Sequence, residues 1–313
     1  RNNDFIKFDY NLFISQIKKF KEANINCFLY VGHNPFIILS LLKFKVENNI
    51  DLIFANQNIN LDTYTKTEVE NLFIKEKGNN SFYIYTSGTT GDPKPVKTNL
   101  EDMIGNIKPT KQKDNVWLLT YDIKSFAGLQ VLLTAVISQN IIYSTNYRSK
   151  VNELIDIVSK YNINAISATP TFWRIFISST KSKNLNLRLI TFGGEVVEED
   201  ILLKIKKLYP NSKLTQIYAT TEFGKIFSVN DGKPGFPKDY LSKYNLKIIN
   251  DELFIKKDKS YLSTKDFVKQ VGNRIIFIGR NSDFVKVAGN KVNLKQIEQK
   301  IIEIENIQDA KTS

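Results

Sequence analysis

The sequence predicts an α/β protein with helix-covered, mainly parallel sheets and a small antiparallel β unit towards its C-terminal end. The first observation is that short apolar, β-branched runs alternate with longer segments of helical spacing. The second is a change after Gly232, where short strand-like runs follow one another closely and are separated by turn residues. Strands that alternate with helices are typical of parallel pairing, because each crossover needs a long connection.

The first β-α-β pattern lies near the N-terminal end of the chain. Apolar runs at 26–31 and 51–55 indicate buried strands, and 35–46 between them has the spacing of a helix. The same alternation predicts strands at 82–85, 116–120, 141–144, 165–167, 189–192 and 214–217, and helices at 128–138, 151–160 and 198–208. Pro210 ends the last of these helices.

The antiparallel unit is predicted from closely spaced strands in the last third of the chain. These strands lie at 246–249, 252–255, 267–271 and 274–278. A helix is expected to follow at 294–304.

Composition narrows the classes of function. The net charge of +12 could indicate a polyanionic partner, but the lysines are scattered, so we favour a solvated surface and expect no nucleic-acid partner. No apolar run approaches the roughly 20 residues that span a bilayer, so no membrane span is expected. Cys27 is the only cysteine, which excludes an internal disulfide and favours a reducing, cytoplasmic location.

The stretch YIYTSGTTGDPKPVKT at 83–98 combines a strand with a loop rich in glycine and hydroxyl groups. Backbone N–H groups and hydroxyls in such a loop can converge on phosphate oxygens, and Lys94 adds a positive charge. It is not a Walker A loop, because Pro93 and Pro95 flank Lys94 where glycine and Ser or Thr should stand. From these residues alone, a structural turn is the commoner interpretation.

The longer string YTSGTTGDPKPV resembles the signature loop of the adenylate-forming superfamily, which includes acyl-CoA synthetases, nonribosomal-peptide adenylation domains and luciferases. Further motifs follow in the order of that family. They are TFGGE at 191–195, YATTE at 218–222, TKDF at 264–267 and GRNSDFVKVAGNKVNLKQIE from 279. Five ordered matches make a chance resemblance improbable.

The resemblance implies an adenylate-forming fold and a division into domains. A core domain at 1–278 would carry the ATP, AMP and acyl sites, with the phosphate loop at 83–98 and the small β unit at 232–278. The hinge and the start of a small α+β lid domain would occupy 279–313. Since 33 residues follow Arg280, we expect the lid to be truncated and to lack the family's bridging lysine.

The resemblance also implies roles for individual residues. The ATP phosphates would be held by Thr86, Ser87, Gly88, Thr89, Thr90, Gly91 and Lys94. Gly193, Gly194 and Glu195 would lie along the adenine, and Tyr218 would stack on its face.

The remaining implied roles concern the α-phosphate, the metal and the ribose. Thr221 would contact the α-phosphate, and Glu222 would help to hold Mg²⁺. Asp266 would accept the ribose hydroxyls, and Arg280 would reach the ribose or a phosphate. The catalytic set would be Lys94, Thr221, Glu222 and Lys286, the last as a substitute for the missing lid lysine.

Three single positions and one pair of residues depart from the family pattern. Ala219 and Lys265 each stand where the family has glycine, and Pro95 replaces the glycine that usually follows the lysine. The hinge pair is Ser282 and Asp283. Each of the first two exchanges should put a side chain near the nucleotide.

The function implied is ATP-dependent activation of a small carboxylic acid to an acyl-AMP, with release of pyrophosphate. The acyl group would then be transferred to a thiol, and CoA is the favoured acceptor. Two alternatives stay open: loading of an acyl carrier protein, which the +12 charge would suit, and nucleotide or acyl binding without turnover. The acyl pocket is expected to be lined by the region around 191–195 and by the segment 120–130. There Ser125 replaces a frequent histidine in one register, and Asp122 approaches an amine-binding aspartate in another. Phe126, Phe172 and Trp173 favour an apolar acyl group, or belong to the core.

Overall fold

A computed structural model describes most of the central and C-terminal chain. The described residues are 15, 27–30, 34–48, 51–54, 81–86, 94–105, 107, 114–144, 150–179, 185–280, 284–287, 290–294, 297 and 301. They fall into two compact units, Arg1–Arg148 with Thr221–Gly224, and Ser149–Thr220 with Lys225–Ser313. Among the described residues, no helix is long and apolar enough to cross a membrane.

The first unit contains a mixed four-stranded sheet in the order β1-β2-β3-β4. Its strands are β1 (Cys27–Tyr30), β2 (Asp51–Phe54), β3 (Ser81–Thr86) and β4 (Lys94–Asn99). The first three strands are parallel and β4 is antiparallel to β3. Helix α1 (Pro35–Asn48) connects β1 to β2 and buries Ile38, Leu41 and Phe44. This confirms the first predicted β-α-β pattern, whereas β4 is not predicted.

Two further helices belong to this unit. Helix α2 (Leu100–Gly105) begins directly after β4, and the Asn99 side chain accepts hydrogen bonds from the N–H groups of Glu101 and Asp102. Strand β5 (Val116–Leu119), helix α3 (Phe126–Ile137) and strand β6 (Ile141–Ser144) form a second β-α-β pattern with parallel strands, as predicted.

The second unit contains four adjacent strands in the order β10-β9-β8-β7. They are β7 (Ala165–Ala168), β8 (Leu189–Phe192), β9 (Lys213–Thr220) and β10 (Gly224–Val229). The first three are mutually parallel, and their helices are α4 (Val151–Lys160), α5 (Pro170–Ser178) and α6 (Glu199–Leu208). Strand β10 and helix α5 are the elements here that the sequence does not predict.

Helix α5 resolves the alternative for Trp173. Thr169 caps the helix by accepting the Phe172 N–H, and Pro170 occupies its first turn. The Trp173 side chain is fully buried and donates its indole N–H to the Thr191 carbonyl at 3.1 Å. Trp173 is therefore a core residue with a satisfied polar group.

The predicted antiparallel unit is a five-stranded sheet in the order β11-β15-β14-β13-β12. Its strands are β11 (Phe236–Pro237), β12 (Leu246–Ile249), β13 (Glu252–Lys257), β14 (Ser260–Val271) and β15 (Arg274–Arg280), with a short helix α7 (Tyr240–Lys243). Its apolar core comprises Phe227, Val229, Phe236, Leu246, Leu253, Val268 and Ile275.

The chain continues into a β-hairpin that contains Lys286. Strands β16 (Phe284–Val287) and β17 (Asn290–Asn293) pair antiparallel. Leu294 is helical, as are Ile297 and Ile301, and the rest of the helix predicted at 294–304 lies outside the described residues.

Candidate active site

The proposed phosphate loop connects two paired strands. Thr86 ends β3 and Lys94 begins β4, and the two residues are direct antiparallel partners. Pro95 lies in β4, an edge strand of its sheet, where a missing N–H is tolerated. Ser87, Gly88, Thr89, Thr90 and Gly91 lie outside the described residues, and Thr86 and Lys94 are described by backbone alone.

The clearest site geometry surrounds the Asp266 carboxylate. Tyr218 donates its hydroxyl to Asp266 Oδ2 at 2.6 Å, and Arg280 donates Nε–H to Oδ1 at 2.8 Å. Asp266 is 6% exposed, so this carboxylate is buried with a donor on each oxygen. The structure thus brings together three of the residues that the sequence selects.

An irregularity in β14 positions Asp266. Glu252 pairs with Phe267 and Phe254 pairs with Ser263, so 264–266 lie opposite a single residue of β13. Thr264 Oγ1 donates to the Leu253 carbonyl at 2.8 Å and accepts the Asp266 N–H at 3.3 Å. The bulge therefore fixes the backbone that presents the carboxylate.

Lys265 adopts a left-handed backbone conformation inside this bulge, with φ at +62°. Its N–H donates to Ser263 Oγ at 3.0 Å, which holds the turn. A positive φ favours glycine, the residue that the family pattern has here. The departure at Lys265 therefore strains the backbone next to Asp266.

Tyr218 is anchored by aromatic neighbours in strands β10 and β15. Its ring lies 5.1 Å from that of Phe227 and 4.8 Å from that of Phe277, centroid to centroid. Burial, and then the neighbouring Asp266 carboxylate, raise the pKa of the Tyr218 hydroxyl far above its ordinary value. The hydroxyl stays protonated and acts as a hydrogen-bond donor.

Arg280 reaches Asp266 across a strand pair. The two residues are partners in the β14–β15 register, and the Arg280 side chain remains 50% exposed while that of Asp266 is 8% exposed. Its half-exposed guanidinium therefore contacts the buried carboxylate of Asp266.

The segment after β8 has a structural role that the sequence does not predict. Gly194 has φ at +84°, and the exposed Glu195 turns back towards helix α5. Glu195 Oε2 accepts the Thr171 N–H at 3.0 Å and the Thr171 hydroxyl at 2.7 Å. Glu195 thus satisfies a free donor in the first turn of α5. Gly193 donates its N–H to the Ala168 carbonyl at 3.2 Å.

Thr221 and Glu222 lie in the turn between β9 and β10, and Glu222 is exposed. Across the described residues, no three His, Cys, Asp or Glu side chains gather into a metal site. Mg²⁺ commonly takes one or two carboxylates and completes its shell with phosphates and water, so a single exposed carboxylate fits it. Lys286 lies in β16 opposite Lys291, described by backbone alone.

The segment predicted to line an acyl pocket is organised by local hydrogen bonds. Asp122 Oδ1 accepts the Lys124 N–H at 3.0 Å, and Ser125 Oγ accepts the Gly128 N–H at 3.0 Å as the cap of α3. Both candidate acyl-site residues therefore have structural roles. Lys124, which the sequence does not single out, is 3% exposed, and burial lowers its pKa against the opposing effect of Asp122.

The fold is that of the adenylate-forming enzymes. The O-succinylbenzoate coenzyme A synthetase of Bacillus subtilis, solved in complex with ATP and magnesium ion, superposes with a TM-score of 0.67 at 16% identity, over 94% of this chain and 78% of that one. Residues 41–263 match the family model described as AMP-binding enzyme, and the chain belongs to that family.

Curated relatives include both large synthases and a free-standing ligase. Bacitracin synthase 3 of Bacillus licheniformis is 23% identical over 87% of this chain, which spans 5% of that protein. The 3,4-dihydroxybenzoate–[aryl-carrier protein] ligase of Bacillus anthracis is 23% identical over 98% of this chain and 81% of its own length.

Proposed function

We propose that this chain activates a small carboxylic acid with ATP, forming an acyl-AMP and releasing pyrophosphate. The observation that carries the proposal is the buried Asp266 carboxylate, held by Tyr218 and Arg280 within motifs of the AMP-binding family. A buried carboxylate with fixed oxygens is suited to accept the two hydroxyls of a ribose.

The first step forms a bond between a carboxylate oxygen of the acid and the α-phosphorus. The bond from that phosphorus to the bridging oxygen breaks, and pyrophosphate leaves with the electron pair. The loop from Thr86 to Lys94 would hold the β- and γ-phosphates, and Thr221 would donate to the α-phosphate. Glu222 would hold Mg²⁺, which would neutralise part of the negative charge on the phosphates.

The second step transfers the acyl group to a thiol. A thiolate adds to the acyl carbon, and AMP leaves as a stable anion. CoA is the first acceptor we propose, since the structural neighbour named above is a coenzyme A synthetase.

A carrier protein's phosphopantetheine thiol is the second candidate acceptor. The aryl-carrier protein ligase aligns with nearly the whole chain, and a net charge of +12 would suit an acidic carrier. Thioester formation with CoA and with a carrier protein, measured side by side, separates the two.

Acid-dependent exchange of labelled pyrophosphate into ATP tests the first step. We expect exchange with at least one acid from a panel of aliphatic, aryl and amino acids. Lys94→Ala and Glu222→Ala should each lower exchange by about 10²-fold or more while the protein stays folded. AMP binding without exchange for any acid would support a nucleotide-binding protein without turnover and contradict this proposal.

A further inference from the structure

We propose that Tyr218 and Arg280 are positioning residues that hold the Asp266 carboxylate in one orientation, ready to accept the adjacent 2′- and 3′-hydroxyls of a ribose. This inference rests on the proposed function and goes beyond it. It assigns selectivity for a cis-diol to two residues that act through Asp266. It also gives Tyr218 a role for its hydroxyl, separate from any stacking by its ring.

The hydrogen bonds define the orientation. Tyr218 occupies one lone pair of Oδ2 and Arg280 occupies one of Oδ1, at 2.6 Å and 2.8 Å. Each carboxylate oxygen has two acceptor positions, so one on each oxygen remains for another donor. With both oxygens held, the carboxyl plane cannot rotate, and the two remaining acceptor positions are fixed in direction.

The donors are themselves rigid. The Tyr218 ring is packed against Phe227 and Phe277, so its hydroxyl cannot follow a rotating carboxylate. Arg280 is the cross-strand partner of Asp266, which fixes the distance between their backbones. The Asp266 N–H is tied to Thr264 Oγ1, which limits movement from the backbone side. The carboxylate is therefore constrained before a ligand arrives, which lowers the entropic cost of binding a diol.

The test compares AMP with 2′,3′-dideoxyadenosine monophosphate, which keeps the base and phosphate but lacks both hydroxyls. We expect the wild-type protein to bind AMP at least about tenfold more tightly. Tyr218→Phe keeps the ring and removes the hydroxyl, and should lower this selectivity about fivefold while affinity for the dideoxy analogue changes less than about twofold. Arg280→Gln should lower selectivity in the same way.

Tyr240→Phe is the matched control. Tyr240 packs on Phe227 in the same aromatic cluster, with ring centroids 5.4 Å apart, so the variant removes a hydroxyl from another ring of that cluster. Its selectivity should equal that of the wild type. Unfolding curves for each variant identify folded protein, and Arg280→Gln, at a half-exposed side chain, carries the test if Tyr218→Phe does not fold.

The outcomes separate the inference from the proposed function. Unchanged selectivity in a folded Tyr218→Phe or Arg280→Gln variant overturns the inference alone. An equal loss of affinity for AMP and the dideoxy analogue also overturns it, because the residue would then act on the base or phosphate. Wild-type protein that binds neither nucleotide overturns the proposed function together with the inference.

Discussion

Lys265 shows that the backbone conformation next to Asp266 constrains the choice of a single residue. The bulge in β14 requires a left-handed conformation immediately before Asp266, and this chain meets it with a lysine at φ +62°. The family pattern has glycine at this position. The structure gives the physical reason for that preference, because glycine adopts a left-handed conformation without a clash. What the sequence could not show is that the strain lies within one residue of a buried carboxylate.

Lys265→Gly should therefore stabilise the protein. Relief of the left-handed conformation outweighs the greater entropy of glycine in the unfolded chain, and we expect a gain of about 0.5–1 kcal/mol in the free energy of unfolding. Denaturant titration measures it. Lys269→Gly, in the same strand but without a positive φ, should be destabilising. A loss of stability in both variants would show that Lys265 is not strained.

Lys124 predicts a pH dependence of stability. Burial lowers its pKa in the folded protein below the value of 10.5 that it would have unfolded. Between those two pKa values the unfolded chain binds more protons, so the free energy of unfolding should rise with pH towards 10.5. In urea titrations over this pH range, the free energy of unfolding of Lys124→Met should not show this rise with pH. If the free energy of unfolding changed with pH in parallel for the wild type and Lys124→Met, this prediction would be wrong.

At the scale of elements, hydrophobic periodicity predicts most of the strands and helices of the described chain. Strand β4 is missed because KPVKTN lacks an apolar pattern and lies at a sheet edge, where polar residues and proline are tolerated. Helix α5 is missed because its aromatic and β-branched residues favour strands, and capping by Thr169 with burial of Trp173 overrides that preference. Both outcomes depend on neighbours that a local pattern does not contain.

The 120–125 segment packs closely against the first turn of helix α3, because the backbone at Gly128 lies next to the backbone at Asp122. A Cβ at Gly128 would lie 2.1 Å from the Asp122 carbonyl oxygen, so Gly128→Ala should cost roughly 3 kcal/mol or more of stability, or prevent folding. Gly105→Ala is the control, since nothing lies within 4 Å of its added Cβ. Thermal unfolding of both variants is the measurement. Equal stability would contradict the packing described here.

At the scale of the whole molecule, motif order predicts the family, and the match of residues 41–263 to the AMP-binding enzyme model confirms it. Tyr218, Asp266 and Arg280, which are 48 and 14 residues apart in sequence, are in contact in the folded chain, and their roles in nucleotide binding stay predictions. The capping role of Glu195 and the burial of Lys124 are not predicted, because they depend on contacts made only in the folded chain. The division into a core at 1–278 and a lid from 279, and the roles of the phosphate loop and Lys286, stay predictions.

Calorimetric titration of AMP and of inorganic pyrophosphate into the wild-type protein and Asp266→Asn tests the central claim most directly. Asp266 should bind the ribose, so we expect the substitution to weaken AMP binding by about tenfold or more and to leave pyrophosphate binding nearly unchanged. Asparagine keeps one acceptor oxygen in place of two, so a thermal unfolding curve of the variant checks that it remains folded. Equal weakening of both ligands, or no AMP binding by the folded wild-type protein, would contradict the assignment of this site to a nucleotide.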